Sequence, residues 1–263
     1  MNFVVIAWPR TGSTRLTSLL NAQDNIACQG EIFHPKTIFL RWDKKDMSAE
    51  IMAELMELRQ RDPTEFLDRI FAQNYGAAHV GFKLFDGQND EVLWNLIDNG
   101  SVRKIVLLRS NFLAAYSSIL QKRRRSQRQH AKVKFNPDRF LAYCDKKTKF
   151  YQTVFDRLNG NREFFCVVHY EQINDPWFFA RLVAFIGGDP STVRMETSET
   201  TQRKPNASHI VSRFSNASSV EDFLSAHGLN HWKFESVISL NPLGSEHRPG
   251  PDTPPEEYRP GPE

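Results

Sequence analysis

Arginine, glycine and hydroxyl side chains lie together in residues 7–14, between an apolar run and a stretch with helical spacing. At such a strand–turn–helix junction, the exposed N–H groups and the helix dipole favour a bound anion. Gly12 permits close backbone approach, and Arg10 adds a charged, bidentate donor. Ser13 and Thr14 can cap the helix or donate to anion oxygens. These residues predict an anion-binding loop; the alternative is an ordinary capped helix after a tight turn.

The spacing in this loop differs from that of a nucleoside-triphosphate loop, which reads G-x-x-x-x-G-K-[ST]. Ala7 stands at the first glycine position and Ser13 at the lysine position. A later apolar run, residues 104–108, is followed by Arg109 instead of an aspartate that could hold magnesium. We therefore expect an anion smaller than a triphosphate, bound without a metal.

Four short apolar runs predict the buried strands that would position this loop. They are rich in β-branched or aromatic residues, and helical spacing fills the stretches between them. A long helix is expected to begin at Asn136 and Pro137, as N-cap and first helical residue. The predicted strands are residues 3–8, 80–84, 104–108 and 164–168. Their alternation with helices predicts an α/β fold, a parallel sheet covered by helices on both faces.

The composition predicts the extent of this domain and the cellular compartment of the protein. Residues 1–243 are expected to form a single domain, whereas residues 244–263 contain six prolines and predict a flexible tail. No apolar run reaches the length of a membrane span, and no signal peptide is evident. The three cysteines are widely separated and form no C-x-x-C pair, so we expect neither zinc nor disulfides, and a cytoplasmic protein.

The charge balance argues against a bulk polyanion binder. The 263 residues include 34 basic and 31 acidic ones, a net charge of +3. Seven basic residues and no acid fall in residues 122–134, which leaves 27 basic residues elsewhere. This stretch is either a solvated extension, a lid that attracts anionic substrates, or a nucleic-acid surface. It lacks interleaved aromatics, so nucleic acid is not favoured.

The motifs resemble those of sulfotransferases that use 3′-phosphoadenosine-5′-phosphosulfate (PAPS). Residues 9–14 are similar to the 5′-phosphosulfate loop of that family. The family's second element is a strand that ends in arginine with a serine eight residues later, as in Arg109 and Ser117. The resemblance implies a P-loop-like sulfotransferase fold, PAPS as co-substrate, PAP as product, and no metal. It also implies cofactor-binding roles for Arg10, Thr11, Gly12, Ser13, Thr14, Arg109 and Ser117.

Looser similarities extend over roughly residues 3–235. Residues 169–176 resemble a family segment whose tyrosine, here Tyr170, lies near the adenine. Arg203 and Lys204 stand where the family has a late basic segment that closes over the nucleotide. The Gly30-Glu31 pair makes the chain resemble bacterial carbohydrate sulfotransferases of the trehalose and nodulation-factor type. That likeness implies a sugar or glycolipid hydroxyl as acceptor and leaves a homodimer open.

Two side chains after the first predicted helix are candidates for the catalytic base. The resemblance assigns this role to Glu31, and His34 is the second candidate. Each has a plain structural alternative, a solvated loop carboxylate for Glu31 and a turn residue for His34. Arg10 would stabilise the leaving phosphate, with Lys83 as a second helper unless Lys83 is only a strand residue whose charge reaches solvent.

Three candidate functions are consistent with these residues. The first is in-line sulfuryl transfer from PAPS to an acceptor hydroxyl, with a carboxylate base. The second is a P-loop kinase acting on a small molecule, against which the missing lysine and aspartate count. The third is a non-catalytic nucleotide-binding protein, against which the complete set of predicted phosphate ligands counts.

Overall fold

A five-stranded parallel sheet organises the part of the chain that the computed structural model describes. That part comprises residues 1–41, 48–73, 76–126, 132–158, 162–195 and 209–235. The strand order is β2-β3-β1-β4-β5, and every neighbouring pair is parallel. The strands are β1 Asn2–Ala7, β2 Ile26–Glu31, β3 His79–Phe85, β4 Val102–Leu108 and β5 Phe165–His169.

Helices cover both faces of the sheet, as the alternation of side chains along β1 shows. Val4 and Ile6 pack into one apolar cluster, and Phe3 and Val5 pack into another. The first cluster is closed by α2, α3, α4 and α6, and the second by α1 and α7. The helices are α1 Ser13–Asn21, α2 Ala49–Arg61, α3 Pro63–Ala72, α4 Asp90–Asp98, α5 Phe112–Ser126, α6 Pro137–Leu158, α7 Pro176–Phe185 and α8 Ala217–Ala226. The predicted fold class is confirmed.

A third apolar cluster attaches the last described segment to the body of the protein. It joins α5, the start of α6, residues 210–214 and α8. Trp232 stacks on Phe112 with ring centroids 5.6 Å apart. Residues 209–235 are thereby packed against the helix that follows β4.

The predicted elements are confirmed with small shifts at their ends, but one strand was missed. Asn136 accepts a hydrogen bond from the Arg139 amide and caps α6 as predicted. β2 was not predicted, because Ile26–Glu31 contains Gln, Gly and Glu and lacks a β-branched run. As a result, Glu31 ends a strand at the sheet's edge instead of lying in a loop after α1.

Candidate functional site

The loop between β1 and α1 lies at the carboxyl end of the central strand, β1. On one side of this strand the sheet continues with β3 and β2, and on the other side with β4 and β5. In open parallel sheets this crevice is the usual place for a ligand. A hydrogen bond within the loop stabilises its conformation, because the Thr11 hydroxyl donates to the Trp8 carbonyl at 2.7 Å. The buried Tyr151 hydroxyl accepts from the Trp8 amide and donates to the Leu107 carbonyl. The loop is thus fixed to β4 and α6.

Backbone conformation explains why Gly12 stands at the end of this loop. Gly12 is the N-cap of α1 with φ of 93°, and Arg10 also has a positive φ, 71°. A Cβ added to Gly12 would lie 2.5 Å from the Cδ2 atom of Tyr170. The predicted capping by Ser13 or Thr14 is wrong, because the N-cap residue is Gly12, which has no side chain to accept a hydrogen bond. The first turn of α1 is therefore not capped by a side chain at its N-cap position.

Arg109 brings the second predicted phosphate element against the first. Its Nη1 atom donates to the Arg10 carbonyl at 2.8 Å, and its guanidinium lies 4.2 Å from the centroid of the Tyr170 ring. The Lys147 ammonium donates in turn to the Arg109 carbonyl at 2.8 Å. Burial lowers the pKa of Lys147 to about 7, and the charge of Arg109 acts in the same direction.

Ser117 lies beside a second arginine that the sequence did not indicate. The Nη1 atom of Arg213 donates to the Ser117 hydroxyl at 3.2 Å, and Ser117 donates to the Ala114 carbonyl. One oxygen of Glu235 lies 2.5 Å from Arg109 and 3.0 Å from Arg213. We call these four residues, Arg109, Ser117, Arg213 and Glu235, the arginine cluster.

Arg10 extends toward α5, where its Nε atom donates to the Ser118 hydroxyl at 2.8 Å. The side chain is therefore aligned by the helix that also carries Ser117. Thr11 and Ser13 are buried, whereas Thr14 is exposed. The structure thus brings together Arg10, Gly12, Arg109 and Tyr170, as the sequence predicts for one nucleotide site.

Glu31 and Lys83 face each other across β2 and β3. They are register partners, and Gln88 donates to the Glu31 carboxylate at 2.9 Å. Gln88 is itself held, because its side-chain oxygen accepts from the Phe85 amide. Burial lowers the pKa of Lys83, while the Glu31 charge opposes that shift. Lys83 is only 7% exposed, so it is not the solvent-reaching strand residue of the alternative interpretation.

His34 is oriented by its own turn. Its Nδ1 atom accepts from the Lys36 amide at 3.3 Å, and its ring packs edge-on against Phe39. The backbone amide of His34 donates to the Glu31 carbonyl. These contacts match the turn-residue interpretation of His34.

Several predicted features lie outside the described residues. Arg203, Lys204 and the tail 244–263 belong to this group, as do residues 127–131 of the basic stretch. Among the described residues, no group of three or more His, Cys, Asp or Glu side chains could hold a metal ion. No helix in the described ranges is long and apolar enough to cross a membrane.

Sequence reasoning missed Gln88, Ser118, Lys147, Arg213 and Glu235. Lys147 carried the clearest signal, a charged residue in the apolar stripe of α6. Gln88 follows a strand end, where functional side chains collect in parallel sheets. Arg213 and Glu235 are isolated in sequence, and only the packing of residues 209–235 on α5 brings them to the site.

Comparison with known proteins finds a curated relative. The chain is 31% identical to Nodulation protein H of Rhizobium tropici over 139 aligned residues. The aligned region covers 52% of this chain. The predicted resemblance to the nodulation-factor type is confirmed. The chain spans about half, 51%, of the length of that relative. No family model matches the chain.

Two solved structures match the chain at low sequence identity. The sulfotransferase of Alicyclobacillus acidocaldarius has a TM-score of 0.49 and 16% identity, over 88% of this chain and 98% of that one. The sulfotransferase domain of the Synechococcus PCC 7002 olefin synthase has a TM-score of 0.35 and 15% identity, over 72% and 74% of the two chains.

Proposed function

We propose that the protein is a sulfotransferase that moves a sulfuryl group from PAPS to an acceptor hydroxyl. The observation that carries this proposal is the direct contact between the two predicted phosphate elements. The guanidinium of Arg109 touches the carbonyl of Arg10, although 99 residues separate them. One nucleotide with phosphates at its 5′ and 3′ positions would engage both elements at once.

Each end of the nucleotide has a distinct set of donors. The amides at the start of α1, with Arg10 and Ser13, would hold the 5′-phosphate. Arg109 and Ser117 would hold the 3′-phosphate, and the Tyr170 ring lies close to both Gly12 and Arg109. Arg203 and Lys204 remain predicted ligands of the same nucleotide.

Sulfuryl transfer needs one group that accepts the proton of the acceptor hydroxyl and another that stabilises the charge on the leaving phosphate. Glu31 takes the proton that the acceptor hydroxyl loses as its oxygen bonds to sulfur. Arg10 stabilises the negative charge that grows on the phosphate oxygen as the sulfur–oxygen bond breaks. Gln88 orients the carboxylate, and Lys83 places a cation beside it.

The acceptor we propose is a carbohydrate or glycolipid hydroxyl. This rests on the likeness to Nodulation protein H and on the Gly30-Glu31 pair. We also propose a cytoplasmic location, which rests on the widely separated cysteines of the sequence. A homodimer and a single domain over residues 1–243 stay predictions.

Replacement of Glu31 tests the assignment of the base. We expect Glu31→Gln to lower kcat by about 10²- to 10⁴-fold, because the amide cannot accept the proton. PAP affinity should change little, since the substitution preserves size. The measurement is transfer of radiolabelled sulfate from PAPS to a panel of saccharides, glycolipids and phenols.

Two matched variants complete this test. Glu65→Gln removes an exposed carboxylate on α3 and should keep wild-type turnover. His34→Ala should lower kcat far less than Glu31→Gln. Near-normal transfer by Glu31→Gln, or a larger loss in His34→Ala, would rule out Glu31 as the base.

A further inference from the structure

A carboxylate lies where two buried guanidiniums meet. The side chains of Arg109, Arg213 and Glu235 are 7%, 2% and 8% exposed, and one Glu235 oxygen contacts both arginines. Burial lowers the pKa of Arg213, and the hydrogen bond that Arg213 donates to the Glu235 carboxylate opposes that shift. Two desolvated cations in one cluster need an anion nearby, because an unpaired buried charge is strongly destabilising.

The charges in this cluster match a phosphate better than they match a carboxylate. Two guanidiniums carry two positive charges, and Glu235 supplies one negative charge. A phosphate monoester carries about −1.5 to −2 near neutral pH and has three acceptor oxygens. Arginine pairs are suited to that geometry, and the Ser117 hydroxyl lies 3.2 Å from Arg213.

The segment that presents Glu235 is anchored just before it. The side-chain amide of Asn111 donates to the carbonyls of Trp232 and Phe234, at 3.1 and 2.9 Å. Phe234 also forms a bridge with His209. Glu235 follows these anchors directly, so displacement of its carboxylate requires a change of its own rotamer and not release of the segment.

We propose that Arg213 joins Arg109 as a ligand of the nucleotide's 3′-phosphate, and that the Glu235 carboxylate competes with this phosphate for both guanidiniums. The proposal rests on the proposed function and adds to it a binding residue and a displaceable internal anion. Nucleotides without a 3′-phosphate would leave the Glu235 contacts in place. The competition would therefore lower affinity only for nucleotides that carry that group.

Calorimetric titration with PAP and with AMP, which lacks the 3′-phosphate, tests the competition. We expect Glu235→Gln to bind PAP about tenfold more tightly than wild type, equivalent to about 1.4 kcal/mol. AMP affinity should be unchanged. Weaker or equal PAP binding would overturn the competition, and so would an equal gain for both nucleotides.

Three further variants keep this test decisive. Glu221→Gln changes an exposed carboxylate on α8 and should bind both nucleotides as wild type does. Glu235→Ala should repeat the gain for PAP if the glutamine variant folds poorly. Arg213→Gln should weaken PAP about tenfold and leave AMP unchanged, and equal PAP binding there would remove Arg213 from the site.

The thermal stability of these variants gives a separate readout. Without nucleotide, Glu235→Gln should unfold at a lower temperature than wild type, because the arginines lose their partner. PAP should raise its Tm more than it raises that of wild type. Wild-type protein that binds no PAP would overturn the proposed function itself, whereas PAP binding with no effect of Glu235→Gln would overturn only the competition.

Discussion

The loop after β1 and the arginine cluster both present donors to an anion, but they are built in opposite ways. The loop uses backbone conformation within a few consecutive residues, with positive φ at Arg10 and Gly12. The arginine cluster uses buried side chains that lie up to 126 residues apart in sequence. The loop depends on local geometry, and the cluster depends on long-range packing and charge.

The largest expected effect comes from breaking the local geometry of the loop. In Gly12→Ala, the new Cβ would meet Tyr170 at 2.5 Å in a backbone conformation with φ of 93°. The left-handed conformation alone costs about 1–2 kcal/mol, and the contact adds to it. We expect PAP binding to fall by more than about a hundredfold in calorimetric titrations.

Gly228→Ala is the matched control for this variant. Gly228 also has a positive φ, 68°, but an added Cβ would meet nothing within 4 Å. It should lose stability but keep PAP affinity. If Gly12→Ala binds PAP like the control does, the loop is not the binding element.

The strand–turn–helix conformation of the loop was predictable from the sequence, whereas half of the arginine cluster was not, for the same physical reason. A strand, a glycine with its turn and a helix start are encoded by neighbouring residues, so residues 7–14 could be interpreted directly. Arg109 and Ser117 were also predicted, because their spacing on adjoining elements resembles a motif of PAPS-dependent sulfotransferases. Arg213 and Glu235 carry no local signal, and their position follows from how residues 209–235 pack on α5.

An intermediate effect, on the KM for PAPS, is expected when the arginine cluster loses one of its two cations. Arg109→Ala removes charge-assisted bonds worth about 1.5–3 kcal/mol each. The KM for PAPS should rise about ten- to a hundredfold, with a smaller change in kcat, in steady-state sulfate-transfer assays. Arg157→Ala, which loses an exposed pair with Asp98 and a cation–π contact with Trp94, should leave both constants near wild type. An unchanged KM for Arg109→Ala would separate this arginine from the nucleotide.

The last expected effect is on stability, through the pH dependence of unfolding around Lys147. The pKa of Lys147 is lowered by burial from 10.5 to about 7. Between these values the unfolded chain binds more protons than the folded protein, so this group's contribution to stability rises with pH. Lys147→Met should therefore have its greatest advantage in Tm over wild type near pH 7, and the advantage should shrink toward about pH 10.

Thermal unfolding over this pH range checks the prediction. Each kcal/mol corresponds to about 2–4 °C in a protein of this size class. Lys149→Met, on the same helix but exposed, should show no such trend. A pH-independent difference between Lys147→Met and wild type would mean that Lys147 keeps its charge in the folded protein.

We propose that the loop and the arginine cluster hold two phosphates of a single nucleotide. Calorimetric titration of the wild-type protein with PAP, AMP and ATP plus magnesium tests it directly. PAP should bind at least about tenfold more tightly than AMP, and ATP with magnesium should bind weakly. Equal affinities for PAP and AMP, or a preference for ATP with magnesium, would contradict it.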